Sequence, residues 1–128
     1  MYPVYKVRFR WRCANAKNVY LVHSGNNWTT KEYMTKVSQT TFETIIDLPF
    51  GEYEYKFIVD GEWKNSDKCP TRKNIFGSYN NVVFICGNNI IKNYIQEHKT
   101  VTFKNGVKQY RVFYPNIIDN EKNKCYFK

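Results

Sequence analysis

Two tryptophans stand in stretches of chain that offer nothing apolar to bury them. Trp28 follows Ser24-Gly25-Asn26-Asn27 and precedes Thr29-Thr30, and Trp63 sits in Asp60-Gly61-Glu62-Trp63-Lys64-Asn65. An indole is large, and left uncovered it exposes a broad apolar face to water. Either the core of the fold covers it or a ligand does. A pyranose ring suits the second case, because its C–H face lies flat on an indole while amide and ammonium groups at the edge bond its hydroxyls. Asn26, Asn27, Asn80, Asn81 and Lys56 carry that edge chemistry. Lys56 also alternates with Tyr55 and Phe57, which turns it away from the face those rings occupy.

Residues for making and breaking covalent bonds are not assembled. His23 and His98 are far apart in the chain, and neither has a nucleophile or carboxylate motif beside it. No glycine-rich phosphate loop, zinc signature or nucleophile elbow occurs. Glycoside chemistry needs two facing carboxylates. Asp60 and Glu62 flank a turn and read as turn and hairpin residues. A glucan-cleaving barrel takes about 250 residues, and 128 leave no room for one. The expectation is a non-enzyme that holds neither cofactor nor metal.

The elements that must position these residues are strands. Tyr5, Val7, Phe9, Trp11 and Cys13 alternate with Lys6, Arg8, Arg10 and Arg12, giving a period-2 strand with one apolar and one basic face. Val19 to His23 is a second strand, and Phe42 to Leu48 alternates again before the turn residues Pro49 and Gly51. Tyr53, Tyr55, Phe57 and Val59 share one face of the clearest strand, with Glu54, Lys56 and Ile58 on the other. Asp60-Gly61 is a two-residue hairpin signal, and Glu62-Trp63-Lys64 starts the return strand. After a polar stretch with Pro70, Asn80 to Ile85 forms another strand. Short strands separated by turn signals predict an all-β, immunoglobulin-like antiparallel β-sandwich over residues 1–86. Residues 87–128 form a basic C-terminal extension. In it Ile90, Ile91, Tyr94 and Ile95 have helical spacing, and Asn105-Gly106 joins two short strands into a hairpin. This extension is expected to pack on the sandwich or on a partner.

Charge and cysteines bound the partners and the compartment. The net charge is +9. Residues 1–86 hold 12 basic and 8 acidic side chains (+4), and residues 87–128 hold 8 and 3 (+5). Such an excess suits an acidic partner, and the basic strand face at Lys6, Arg8, Arg10 and Arg12 is either solvated or a docking surface for an acidic protein. Nucleic acid is not expected, since Tyr55-Lys56-Phe57-Ile58-Val59 lacks the glycine pattern of an RNA-recognition strand. Cys13, Cys69, Cys86 and Cys125 are scattered without metal-ligand spacing and read as reduced thiols of a cytoplasmic compartment. No apolar run is long enough to span a membrane, and the N-terminus has no signal-peptide core.

Three stretches together carry a resemblance. They are Val19-Tyr20-Leu21 with Ser24-Gly25-Asn26-Asn27-Trp28, then Asp47 through Trp63 with Leu48-Pro49-Phe50-Gly51-Glu52-Tyr53 and Lys56-Phe57-Ile58-Val59-Asp60-Gly61, then Gly77-Ser78-Tyr79-Asn80-Asn81-Val82-Val83. Over about Val4 to Ile85 the chain resembles the glycogen-binding domains of AMP-activated protein kinase β subunits, a carbohydrate-binding module family found also beside starch-branching and debranching enzymes. The resemblance implies two tryptophans stacked on glucose rings, here Trp28 and Trp63. It implies hydroxyl contacts from a strand lysine, here Lys56, and from an asparagine after the late loop, here Asn80. At the position of the family's leucine wedge stands Phe76, and at its neighbouring threonine stands Ser78. Phenylalanine keeps the apolar contact in a bulkier, flatter form, and serine keeps the hydroxyl.

These readings converge on a non-catalytic module for α-1,4-linked glucan, glycogen or starch, that recruits itself or a partner to polysaccharide. The alternative is a structural or adaptor subunit of a large assembly, cytoskeletal or organellar, that docks through the sandwich and the basic tail. Exposure of Trp28 and Trp63 on one face distinguishes the two.

Overall fold

The computed structural model describes residues 3–86, 101–104, 107–110 and 117–122. In chain order the strands are β1 (Val4–Arg12), β2 (Val19–His23), β3 (Glu32–Tyr33), β4 (Thr35–Ser38), β5 (Thr41–Pro49), β6 (Gly51–Val59), β7 (Glu62–Lys64), β8 (Thr71–Lys73), β9 (Tyr79–Ile85), β10 (Val101–Lys104), β11 (Val107–Tyr110) and β12 (Ile117–Asp119). One sheet runs β12-β1-β5-β4 and the other β3-β2-β6-β9-β8, with β7 also paired to β6. Among the described residues the fold is all-β; these two larger sheets face each other as a sandwich, and β10 and β11 form a separate two-stranded sheet.

Alternation decides what each sheet puts inside. On β1 the side chains of Val7 and Phe9 are fully buried, and on β6 so are Tyr55 and Phe57. Rings from the two sheets meet across the gap: Phe9 lies edge-on to Tyr55 and Trp11 tilts against Phe57, each pair with centroids 4.9 Å apart. Such pairs add about 0.5–1.5 kcal/mol each beyond the area they bury. Leu21, Met34, Phe42 and Val83 complete the interior.

The strand β12 adds something the sequence pattern did not announce. It pairs with β1 in parallel, Lys6 opposite Ile117 and Arg8 opposite Asp119, so the sandwich is not purely antiparallel. Its Ile118 is part of the core. A segment of the C-terminal extension is therefore built into the first sheet. β10 and β11 pair antiparallel, with Lys104 opposite Val107, and the expected Asn105-Gly106 turn falls outside the described residues. The helical spacing at Ile90 to Ile95 falls outside the described residues.

The basic face of β1 finds its acids within the chain. Arg10 bonds Glu43 at 3.0 Å and Asp119 at 2.8 Å. Arg12 grips Glu121 with two contacts of 2.7 and 3.2 Å. Arg8 lies 3.4 Å from Glu43, and Lys6 lies 3.4 Å from Asp47. Glu43 and Asp47 come from β5, opposite β1, while Asp119 and Glu121 come from the C-terminal segment. An acidic partner docking on Lys6, Arg8, Arg10 and Arg12 has these carboxylates to displace.

One cysteine expectation is corrected. Cys13 and Cys69 are free thiols, but Cys86, at the end of β9, is disulfide-bonded. Pairing depends on which residues the fold brings together, and the scattered spacing carries no trace of that.

Candidate functional site

The outer face of the second sheet is assembled by register. On β6, Glu54, Lys56 and Ile58 point away from the core that Tyr55 and Phe57 enter. Two strands share one edge of β6: β9 along Gly51 to Tyr55, and β7 along Phe57 to Val59. Trp63 pairs with Ile58 and so projects onto the same outer face. Arg72 on β8 pairs with Asn80 on β9, which adds both to it. Lys56 stands where β9 gives way to β7. There its ammonium donates to the Tyr79 carbonyl, which also accepts from the Asn65 amide at 2.8 Å.

Turns bring up the rest. Asp60 and Gly61 both have positive φ, 48° and 86°, as a type I′ hairpin requires, and the tight return sets Trp63 beside β6. Asp60 also accepts the backbone N–H groups of Lys17 and Asn18 at 2.9 and 2.8 Å. Those bonds hold its carboxyl below the ordinary carboxylate range. Trp28 follows one 3-10 turn, Ser24–Asn26, and takes a left-handed conformation at φ 61°. Its N–H bonds the His23 carbonyl at 3.0 Å, and the Ser24 hydroxyl accepts the Glu54 N–H at 2.9 Å, tying this loop to β6. A third loop is knotted by Asn74. Its carboxamide oxygen accepts the N–H groups of Phe76 and Ser78 at 2.9 and 3.1 Å, and its amide donates to the Ser78 hydroxyl at 2.7 Å. Gly77, at φ 88°, lets the chain turn there.

These pieces form a groove of about 820 Å³. Trp28, Lys56, Trp63, Phe76, Ser78 and Asn80 all line it. Neither indole is covered: Trp28 is 39% and Trp63 58% exposed, and Phe76 stands 87% exposed at its loop tip. Asn80 sits differently from a free edge amide. It is only 8% exposed, and its Nδ2 donates to Glu54 Oε1 at 3.3 Å. The groove also takes in Glu54, Arg72, Lys73, Asn74 and Ile75, none of which the sequence reading named as a site residue. Glu54 had a signal, since it shares the outward face with Lys56. Arg72 had none, because β8 is a three-residue polar strand without alternation.

Chemically the site offers flat apolar platforms, a projecting ring, an ammonium, a hydroxyl and a carboxylate on one open surface. Among the described residues no group of three His, Cys, Asp or Glu side chains is placed to hold a metal. A family model described as the glycogen recognition site of AMP-activated protein kinase matches residues 5–92. The chain belongs to this family.

Individual members of the glycogen recognition family show how far the likeness extends. Subunit beta-1 of 5'-AMP-activated protein kinase from Rattus norvegicus is 44% identical over 75 residues, which is 59% of this chain and 27% of that protein. The beta-1 subunit from Sus scrofa is 43% identical over 75 residues, 59% of each chain. The beta-2 subunit from Mus musculus is 40% identical over 76 residues, 59% of this chain and 27% of its own. The aligned part thus spans 27% of the rat and mouse proteins. All six groove residues expected from the glycogen recognition family lie inside the matched span, whereas β12 lies beyond it.

Proposed function

We propose that this chain is a non-catalytic α-glucan-binding module that attaches itself, or a partner, to glycogen or starch through the groove on its second sheet. Trp28 and Trp63 stack on glucose rings, Phe76 is an apolar wedge against the glucan, and Lys56, Ser78 and Asn80 bond hydroxyls. The single observation that carries this reading is that two uncovered indoles face one groove that already holds the hydrogen-bonding groups. Membership in a family described as a glycogen recognition site supports it. We read the sandwich as immunoglobulin-like; the disulfide at Cys86 removes the reduced-thiol argument for a cytoplasmic compartment.

An open groove desolvates its ligand less fully than a closed pocket, so affinity is modest. Stacking and hydroxyl bonds involve a neutral ligand, so added salt changes binding little. Co-sedimentation with glycogen at low and high salt tests both points. Retention at both salt levels is the expected result. Retention that collapses with salt points instead to an anionic partner, and absence of retention overturns the proposal.

The relatives named above are subunits of a kinase, which keeps a second reading open: the sandwich also serves as an assembly module beside a catalytic chain. A cross-linking experiment that finds Trp63 covered in the assembled state favours this over glucan binding.

A further inference from the structure

Glu54 is the only carboxylate among the described residues that line the groove. Its surroundings on the sheet are built. Asn80, on the neighbouring strand, donates to Oε1 at 3.3 Å, and Arg72, one strand further, places Nη2 3.6 Å from Oε2. The same guanidinium also pairs with Glu52. The two oxygens of Glu54 are thus steadied from one side while its side chain stays 30% exposed.

Capacity is left over. An ionised carboxylate accepts at about four lone-pair positions, and the Asn80 amide occupies one. The contact with Arg72 is an ion pair, too long for a good hydrogen bond. Asn80 is almost buried and spends one amide hydrogen on Glu54, so of the two residues Glu54 offers a sugar hydroxyl the stronger and more accessible acceptor. Two residues along the same strand face, Lys56 is a pure donor with one contact to the Tyr79 carbonyl. The Cα atoms of the two residues therefore stand about 6.6 Å apart along β6, and their side chains put an acceptor and a donor on one face.

We infer that Glu54 is a further sugar-contacting residue, whose two carboxylate oxygens accept hydrogen bonds from the adjacent 2- and 3-hydroxyls of one glucose unit, and that Arg72 is its positioning residue. Adjacent equatorial hydroxyls direct two protons to one planar acceptor. A sugar whose 2-hydroxyl is axial or missing satisfies only one of the oxygens. Glu54 then sets a preference for gluco-configured chains that the tryptophan platform cannot supply, since stacking is indifferent to single hydroxyls. This inference rests on the glucan reading proposed above.

Titration of the full chain with maltoheptaose and with its 2-deoxy analogue, followed by tryptophan fluorescence, tests it. Wild type should bind the 2-deoxy analogue several-fold more weakly. Glu54→Ala should weaken maltoheptaose binding about tenfold, the effect of a hydrogen bond to a charged group, and should bind both sugars alike. Glu54→Gln keeps the shape and covers the case in which the alanine variant fails to fold; it should show a reduced 2-deoxy penalty. Arg72→Met should shift the penalty in the same direction, with recovery in Arg72→Lys. An unchanged 2-deoxy penalty in the Glu54 variants overturns the inference and leaves the glucan reading standing. A wild-type protein that binds neither maltoheptaose nor glycogen overturns both.

Discussion

The side-chain amide of Asn120 donates to the phenol oxygen of Tyr55 at 2.7 Å, and both residues are buried. Tyr55 lies between Glu54 and Lys56 on β6, with its ring turned inward while theirs turn outward. The C-terminal segment thus braces from inside the strand that carries the groove outside. Burial raises the Tyr55 phenol pKa well above its ordinary value, so the hydroxyl stays protonated while its oxygen accepts from Asn120.

Removing either partner of that bond should destabilise the fold. Asn120→Ala removes the amide donor from the phenol oxygen while Cys69 still bonds the hydroxyl, and a loss of about 1 kcal/mol is expected. Thermal unfolding should show a Tm lower by a few degrees. The double variant Asn120→Ala/Tyr55→Phe should lose less than the sum of the two single changes. Strict additivity would show that the bond contributes nothing.

Truncating either platform ring should remove function without removing the fold. Trp63→Ala and Trp28→Ala delete exposed side chains, so Tm should hold within about two degrees, since surface changes rarely exceed about 0.5 kcal/mol. Trp28→Ala leaves the left-handed backbone no more strained than before, because both residues carry a Cβ. Glycogen retention should fall at least tenfold in each. Equal retention of wild type and both variants in a sedimentation assay counts decisively against this site.

The loop at Asn74 should govern how well Phe76 is presented. Asn74→Ala deletes three hydrogen bonds that fix the turn. Gly77→Ala meets no atom within 4 Å, but it forces a Cβ onto a φ of 88°, at a cost of about 1–2 kcal/mol. Both variants should weaken glucan affinity several-fold while Phe9, Tyr55 and the rest of the core stay as they are. Affinity equal to wild type in both would remove the wedge from the mechanism.

Acid should weaken the fold through His23. The imidazole is buried behind Gly25, and burial lowers its pKa from 6.5, partly opposed by Glu32 at 3.9 Å. The unfolded chain therefore binds a proton at a higher pH than the folded one does. Stability is full above about pH 6.5 and declines as pH falls toward the depressed folded value. A pH series of Tm values should show this decline, and His23→Gln should flatten it. An unchanged slope in the variant would assign the acid sensitivity elsewhere.

Much of the sandwich was legible because alternation is strong where one face is buried. β1, β5 and β6 declare themselves by apolar residues at every second position, and β2 and β9 by short apolar runs between turn signals. β4 and β8 did not, since every residue in them is exposed and nothing selects a face. β12 was invisible for another reason: three residues suffice to pair with β1, and a run that short has no period. At the site, Trp28, Trp63 and Lys56 stood out as large or charged groups in unexpected places. Glu54 was placed on the outer face with Lys56, but its partnership with Arg72 was hidden, because the two meet across β9, a relationship that only register creates. The free-thiol reading failed at Cys86 because a disulfide records proximity in space.

The parallel pairing of β12 with β1 has a practical consequence for dissection of this molecule. The stretch that can be recognised from sequence and the stretch that folds as a unit are different lengths. A fragment cut at residue 92, where the family match stops, would expose the bare edge of β1, open the hole that Ile118 fills and leave Arg10 and Arg12 without two of their carboxylates. Such a fragment invites edge-to-edge association, and a failure of it to bind sugar would report on the missing strand instead of on the groove.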